Sequence, residues 1–447
     1  MRAMPRAVLR RYKSKCRLAF KGDITLAAYC DISLSEDGDA RIECDIPTFA
    51  DIGKIRKIQE ENHLVYTSLV GEETHGFAVS APKAYLLSMS GGTKGCKVTF
   101  APAEPLRISK RQATTEHVEV YYGLANFYFG GCEVTHTGTG WKVDKFRVTV
   151  QTLDLLFRQL DDYEHRIAVL KEEGGIMQTS ELIVRLGQDK LEELDKTVFD
   201  VLVLLSYATG SWIGIVYRDV FEGTNLVESR FGASKMFPYR HFDFVIDARN
   251  LSGCQLRQFA ERAFPIFLSL KHSLSLDAVL EYATTAKLGS HLDTKYILTS
   301  LVLETLASCI PDHMRKLGIV LQSGALNAAR ARIAEILNKR GLDMSPQVID
   351  EIADRVAYKG IGLKDRLRAL LNHYHIPYDT SDFDFTRTRA RLVHSGRFDD
   401  YNEAITLYQR LTDFVNRVLL SLLGCQGIPY VNAAKGHTEQ PVPPLVE

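Results

Sequence analysis

The sequence predicts an α+β chain: an antiparallel β-rich N-terminal domain with a mixed helix and strand segment, followed by an all-α helical bundle. Three observations carry this. Short runs rich in Val, Ile, Thr, Tyr and Phe, separated by turn signals, fill the chain from Cys16 to about Val150. Between about 151 and 255 the apolar period shifts toward that of helices. From about Gln255 onward helical spacing is almost unbroken.

With 447 residues, 45% apolar and 25% charged, the chain has room for two or three domains and a sizeable core. Formal net charge is zero, so any affinity for nucleic acid has to come from a local patch. The longest apolar runs, VLVLLSYA at 201–208 and VLLSLLG at 418–424, fall far short of the roughly 20 residues a membrane span requires, so no membrane association is expected. The opening MRAMPRAVLRRYKSKCR holds seven basic residues and no acid, without the apolar core of a secretory signal. It reads as a solvated basic arm over 1–15, with a transit peptide as the less favoured reading. Eight cysteines (Cys16, Cys30, Cys44, Cys96, Cys132, Cys254, Cys309, Cys425) are spaced singly, which predicts reduced thiols, no metal and a cytoplasmic setting.

In the β-rich domain, 16–255, the expected strands are CRLAF, ITLAAYC, ARIECDI, HLVYTSLV, GFAVSA, CKVTF, HVEVYYGL, FYFGGCEVTH and KFRVTV. Turn signals between them include Glu36-Asp37-Gly38, Ser90-Gly91-Gly92 and Gly138-Thr139-Gly140, and the density of strands indicates a sandwich or barrel-like fold. In the mixed segment, Leu153, Leu155, Leu156 and Leu160 predict one helix; Leu191, Leu194, Val198, Val201, Leu202 and Leu205 predict another. WIGIVYRDV and FPYRHFDFVID read as strands again.

The helical domain, 256–425, shows candidate helices at 255–270, 275–287, 292–309, 325–340, 346–358, 363–374, 385–395 and 400–423. The last opens on Asp400 with Glu403 three residues on, a capping-box arrangement, and carries an apolar stripe from Ile405 to Leu422. A Pro-rich end, PVPPLVE, predicts a disordered tail over 426–447. The glycine-rich SGGTKG at 90–95 lacks phosphate-loop spacing.

The stretch most suggestive of chemistry is RTRARLVHSGRF at 387–398, which sets His394 among four arginines with no acid inside the run. Imidazole accepts or gives a proton near pH 7, and guanidinium offers forked donors to phosphate oxygens at any pH. On a helix, Arg387, Arg391 and His394 (i, i+4, i+7) share one face, whereas Arg389 lies roughly 140° around from His394. Ser395-Gly396 supplies a helix stop directly after the histidine.

Arg389, four residues, then His394, with Val393 before the histidine and Ser395-Gly396 after it, resembles the R-x4-6-H motif of the HEPN superfamily of helical ribonuclease domains. The segments LDTKYILTSLVLETLAS at 292–308 and LKDRLRALLNHY at 363–374, the motif and a closing amphipathic helix are similar to the layout of its ApeA-like branch. That branch also has a β-rich N-terminal domain, and LLSYATGSWIG at 204–214 looks like the segment that follows it. The resemblance implies an RNA-cutting toxin of prokaryotic antiviral defence by abortive infection. It implies action as a homodimer or higher homo-oligomer in which motifs from two protomers form one site. It assigns His394 as general acid and base and Arg389 as the phosphate-binding arginine; Arg387 fits the looser spacing of six and remains a second candidate. Ala390 stands where many members have a polar residue, commonly Asn.

Such chemistry needs no metal or cofactor. The RNA 2′-OH is the nucleophile, one group takes its proton, another protonates the leaving 5′ oxygen, and cationic donors hold the developing charge. The products would be a 2′,3′-cyclic phosphate and a 5′-hydroxyl, and DNA would not be cut by this route. Arg391 and Glu304 are supporting candidates, and Asp382, Asp384 and Thr386 are candidate caps for the motif helix. His373 and His375 cannot face one way on a helix and read as loop residues before Pro377. His63, His75, His117 and His136 lack a partnered nucleophile, so the N-terminal domain is expected to sense a trigger, such as a phage-derived one, or to restrain the nuclease. The alternative is a non-catalytic HEPN-like dimerisation or RNA-binding protein with a β-rich recognition module, in which Phe383, Phe385 and Phe398 are the few aromatic platforms near the motif.

Overall fold

A computed structural model describes residues 8–20, 24–61, 65–73, 76–92, 95–110, 117–138, 140–232, 236–239, 244–247, 253–289, 291–316, 323–342, 344–360 and 362–446. The chain divides into two compact units, Met1–Asp243 with Ala248–Arg257, and Phe244–Asp247 with Gln258–Glu447.

The first unit opens with β1 (Val8–Phe20), β2 (Ile24–Ser35), β3 (Ala40–Ile46), the helix α1 (Phe49–Glu61), β4 (Tyr66–Glu73), β5 (Ala78–Gly92) and β6 (Gly95–Pro102). Hydrogen bonding runs β4-β1-β2-β3-β6-β5 and returns from β5 to β4, so these six antiparallel strands close into a barrel. Closure removes the exposed edges that an open sheet would present. Alternation sends Cys16, Leu18, Ile32, Ile42, Cys44, Val98 and Phe100 inward, and Ile55 and Ile58 of α1 pack against the same core.

Three residues of β5, Ala78–Ser80, also pair with β7 (Leu106–Ser109). From β7 an eight-stranded antiparallel sheet continues through β14, β13, β8, β12, β11, β10 and β9. These are β8 (His117–Ala125), β9 (Glu133–Thr137), β10 (Gly140–Val150), β11 (Leu153–Gln159), β12 (Gln178–Gly187), β13 (Gly214–Glu222) and β14 (Asn225–Phe231). Two helices accompany them, α2 (Tyr163–Glu173) and α3 (Leu191–Thr209). Phe127, Phe129, Phe146 and Phe157 are fully buried and in mutual ring contact beside this sheet.

Four expectations for this unit are corrected. Residues 8–15 are not a solvated arm: they form the first half of β1, paired with β2, because Ser14 and Cys16 continue the inward alternation of Leu18 and Phe20. Leu153, Leu155 and Leu156 lie in β11, not in a helix, and Leu160 follows its end; Leu155 and Phe157 are buried at a period of two after a tight turn in which Gln151 has φ 54°. Phe127–Cys132 are irregular, and the strand begins only at Glu133. Of FPYRHFDFVID, residues 240–243 lie outside the described residues, and the described parts, Phe237–Tyr239 and Phe244–Asp247, are not strands. Tyr239 instead packs with Tyr163, Ile167 and Leu170.

The second unit comprises α4 (Gly253–Leu270, reaching back into the first unit's residues), α5 (Leu276–Leu288), α6 (Leu292–Lys316), α7 (Ser323–Lys339), α8 (Pro346–Gly360), α9 (Leu363–His373), α10 (Phe385–Ser395) and α11 (Tyr401–Leu422). The long α6 is the hub: α5, α9, α10 and α11 all pack against it, and its Val302, Leu303, Leu306 and Ile310 are buried. This unit is not all-α, and of the tail expected over 426–447 the described residues, 426–446, are ordered against the helices. Strands β15 (Pro429–Asn432) and β16 (Thr438–Pro441) form a hairpin because Ile428, Tyr430, Val431 and Val442 bury against the helices despite the flanking prolines.

Candidate functional site

The segment leading into α10 is a 3-10 turn over Thr380–Asp384, and its capping is local. The Asp379 side chain accepts from the third residue of the turn, and Asp382 accepts from the Asp379 N–H at 2.9 Å. Asp384 precedes α10 with helical dihedrals and makes no side-chain cap, while the Thr386 hydroxyl donates to the Phe383 carbonyl at 2.9 Å. Asp382, Asp384 and Thr386 therefore do not cap the motif helix. Gly396 ends it as expected, with φ 76° and its N–H bonded to the Leu392 carbonyl at 2.8 Å. Asp400 caps α11, accepting from Asn402 N at 2.8 Å.

Burial divides α10 into two faces. Phe385, Thr388 and Leu392 are buried, with Phe385 against Phe414 of α11. Arg387, Ala390, Arg391, Val393 and His394 are exposed. Arg389 lies between, half-buried, and its guanidinium forms an ion pair with Glu304 of α6. Burial raises the Glu304 carboxyl above the ordinary range, and Arg389 offsets part of that rise. Of the supporting candidates, Glu304 thus engages one motif arginine from inside the unit, and Arg391 meets Glu403 of α11 at 3.4 Å in solvent.

The structure brings Arg387, Arg391 and His394 onto one solvent face and leaves Arg389 on another. Arg387 and His394 have no ion-pair or hydrogen-bond partner among the described residues. A guanidinium and an imidazole so disposed can meet an anionic oxygen and exchange a proton with it without first breaking a protein contact. Phe383 is buried against Phe414, and Phe398 packs edge-on against Tyr296, so neither is an open stacking platform.

His373 ends α9 and His375 lies in the following turn with φ 55°, so the two imidazoles do not form a pair. A histidine with no sequence signal beyond its place in an apolar run, His313 of α6, is buried and its Nε2 lies 2.6 Å from the Tyr374 hydroxyl. In the first unit, His117, Glu119, Arg185 and Lys190 line a groove of about 590 Å³ together with Val118, Leu153 and Leu186, and Arg185 holds Glu119 at 2.7 Å. Of the other histidines, His63 and His75 lie outside the described residues, and His136 rests against the exposed Trp141. Among the described residues no cluster of His, Cys, Asp and Glu is placed to hold a metal ion, and no helix is long and apolar enough to cross a membrane.

Compared with family models, with curated proteins and with solved structures, the chain matches none.

Proposed function

We propose that the chain is a metal-independent endoribonuclease of the HEPN type, acting as a toxin in prokaryotic antiviral defence and assembling its site from two protomers. What carries the reading is the solvent face of α10, where His394 stands with Arg387 and Arg391, α10 itself holds no acid, and Glu403 of α11 meets Arg391 alone. His394 is the proton-transfer group, and a second copy across a two-fold supplies its counterpart, since one imidazole cannot be base and acid at once. Arg387 holds the scissile phosphate and Arg391 adds charge. Arg389, already committed to Glu304, serves as a positioning residue for α10. The β-rich unit senses a trigger or restrains the activity, and RNA is the substrate.

The test is incubation of the purified full-length chain with RNA in EDTA, alongside His394→Ala. EDTA-resistant cutting that leaves 2′,3′-cyclic phosphate ends, lost in the variant, is expected. Cutting that requires Mg²⁺, or that survives the substitution, overturns the proposal.

One observation favours the second reading, a non-catalytic HEPN-like dimerisation or RNA-binding protein. The arginine of the tighter R-x4-H spacing is held by Glu304, and Ala390 adds no polar group beside it. On that reading the chain retains RNA in a mobility-shift experiment without shortening it.

A further inference from the structure

The basic N-terminal run becomes a ruled surface. On β1, alternation turns Ser14, Cys16 and Leu18 into the barrel and leaves Arg11, Lys13, Lys15 and Arg17 exposed on its outer face. Alternate residues of a strand stand roughly 6.6 Å apart, so the four cations form a straight row. β2 flanks the whole row, and β4 flanks it on the other side from Ser14 onward, so Lys15 and Arg17 stand in the middle of a face.

The surroundings are those of a binding face. Arg11 is held by Asp31 of β2 through bonds of 2.8 and 2.7 Å, but Lys13, Lys15 and Arg17 have no ion-pair partner among the described residues. Directly across from Lys15 on β2 stands Tyr29, 61% exposed, with the Lys15 ammonium 5.4 Å from its ring centre. On the other side Val70 of β4 faces Arg17 and is 62% exposed. The acids nearby are Asp31, directly across from Lys13 on β2, Glu72, directly across from Lys15 on β4, and Asp45 and Glu43 of β3, which face Tyr29 and Asp31. A row of cations beside an open aromatic ring is the combination that tracks a sugar–phosphate backbone and stacks an unpaired base.

We propose that this barrel face binds single-stranded RNA, with Lys13, Lys15 and Arg17 on successive phosphates and a base stacked on Tyr29. A duplex keeps its base faces stacked internally and has no use for the ring. The choice of RNA over single-stranded DNA rests on the ribonuclease reading above.

The test is fluorescence anisotropy of the full-length chain with a labelled 20-nucleotide 2′-O-methyl oligouridine, which cannot be cut through its 2′ oxygen. The triple variant Lys13→Glu, Lys15→Glu, Arg17→Glu should bind at least ~10-fold more weakly and lose about 2 from the slope of log affinity against log salt. Tyr29→Ala should weaken binding by about 10-fold, and Tyr29→Phe should restore it. If the triple variant loses its folded circular-dichroism signal, the glutamine versions of the same three positions carry the same expectation. Wild-type affinity in both the charge variant and Tyr29→Ala overturns the proposal, as does tighter binding to oligothymidine or to phosphatidylglycerol vesicles than to the oligouridine. RNA cleavage with unaltered binding in the variants removes this face and spares the ribonuclease reading; Tyr29-dependent binding without cleavage does the reverse.

Discussion

Glu304 on α6 holds the guanidinium of Arg389 on α10, while Arg387, two residues earlier, is exposed on the face of His394. The two arginines that satisfy the motif spacing thus occupy different environments, and their substitutions should separate. Arg387→Ala should leave the melting temperature unchanged and lower RNA cleavage by about 10²-fold, the usual loss when one charge-holding donor is removed. Arg389→Ala leaves the half-buried Glu304 carboxylate without its cation and should cost about 1–3 kcal/mol of stability, read by thermal melting. Pairing it with Glu304→Gln should recover most of that loss, because the neutral amide needs no countercharge. Equal melting temperatures for the Arg389 and Arg387 variants would show that the ion pair does not hold α10.

In the barrel unit, Arg10 pairs with Asp219 of β13, which is 1% exposed and also accepts from the Ser229 hydroxyl at 2.7 Å. Burial pushes the Asp219 carboxyl above its ordinary range, and Arg10 opposes the rise. Arg10→Ala should therefore cost about 3–5 kcal/mol at neutral pH, since a buried charge is left uncompensated. The sign of the pH effect follows. A carboxyl whose folded pKa is raised binds its proton more tightly when folded, so the charged form destabilises the fold, and the cost is relieved as pH falls through the raised value. The gap between wild type and Arg10→Ala in urea unfolding should narrow on acidification. A gap that widens would show that Arg10 does not hold the Asp219 carboxyl down.

Much of this was legible in the residues, and the failures have physical causes. Tyr401–Leu422 was readable from its apolar stripe behind the Asp400 cap, and Phe385–Ser395 from the Gly396 stop that ends it. The common face of Arg387, Arg391 and His394 follows from the helical period alone. Leu153, Leu155, Leu156 and Leu160 fit a helical stripe and an alternating strand equally well, and only the neighbouring strands β10 and β12 decide between them. α1 was missed because, among its described side chains, only Ile55 and Ile58 enter the core, too short a stripe to read as a helix. The Glu304–Arg389 pair depends on how α6 and α10 meet across 85 residues of sequence, which no local pattern encodes. Closure of the barrel through β4 and β5 is likewise a property of register and twist.

The cysteines should label in an order set by burial. Cys30 and Cys44 face each other across β2 and β3 with their sulfurs 2.9 Å apart inside the barrel. The contact with Cys30, followed by burial, pushes the Cys16 thiol up; for Cys30 the contact with Cys16 lowers it, but the contact with Cys44 and burial raise it overall. Burial, then the Cys254 thiol, pushes Cys132 up to about 12, and Cys425 is likewise pushed up to about 12 by burial. The thiolate is the nucleophile, so these groups should resist alkylation in the folded protein. Iodoacetamide at pH 8 should modify the exposed Cys254 first, and Cys16, Cys30 and Cys44 only after urea unfolding. Early labelling of Cys30, read by peptide mass, would mean that the barrel opens locally.

The final hairpin should be an integral part of the helical unit, although its prolines suggest a loose tail. Tyr430 is buried and its hydroxyl donates to Asp413 of α11 at 2.8 Å; the other Asp413 oxygen receives Arg417 Nε at 3.0 Å, and Arg417 reaches Asp382 at 2.9 Å. The hairpin therefore ties α11 to the turn that precedes α10. A backbone bond from Val431 N to the Val245 carbonyl, at 2.7 Å, anchors its other side. Tyr430→Phe keeps the ring and removes two hydrogen bonds, the donation to Asp413 and the one the hydroxyl accepts from Asn432 Nδ2 at 3.3 Å, leaving Asp413 with Arg417, and should cost about 1–2 kcal/mol. Removal of residues 426–447 strips Ile428, Tyr430, Val431 and Val442 from the core, at about 1.5–3 kcal/mol for each large apolar side chain. The truncated chain should melt well below wild type by circular dichroism, with the loss exceeding that of Tyr430→Phe several-fold. An unchanged melting temperature would return these residues to the status of a tail and detach the Arg417 network from the stability of α10.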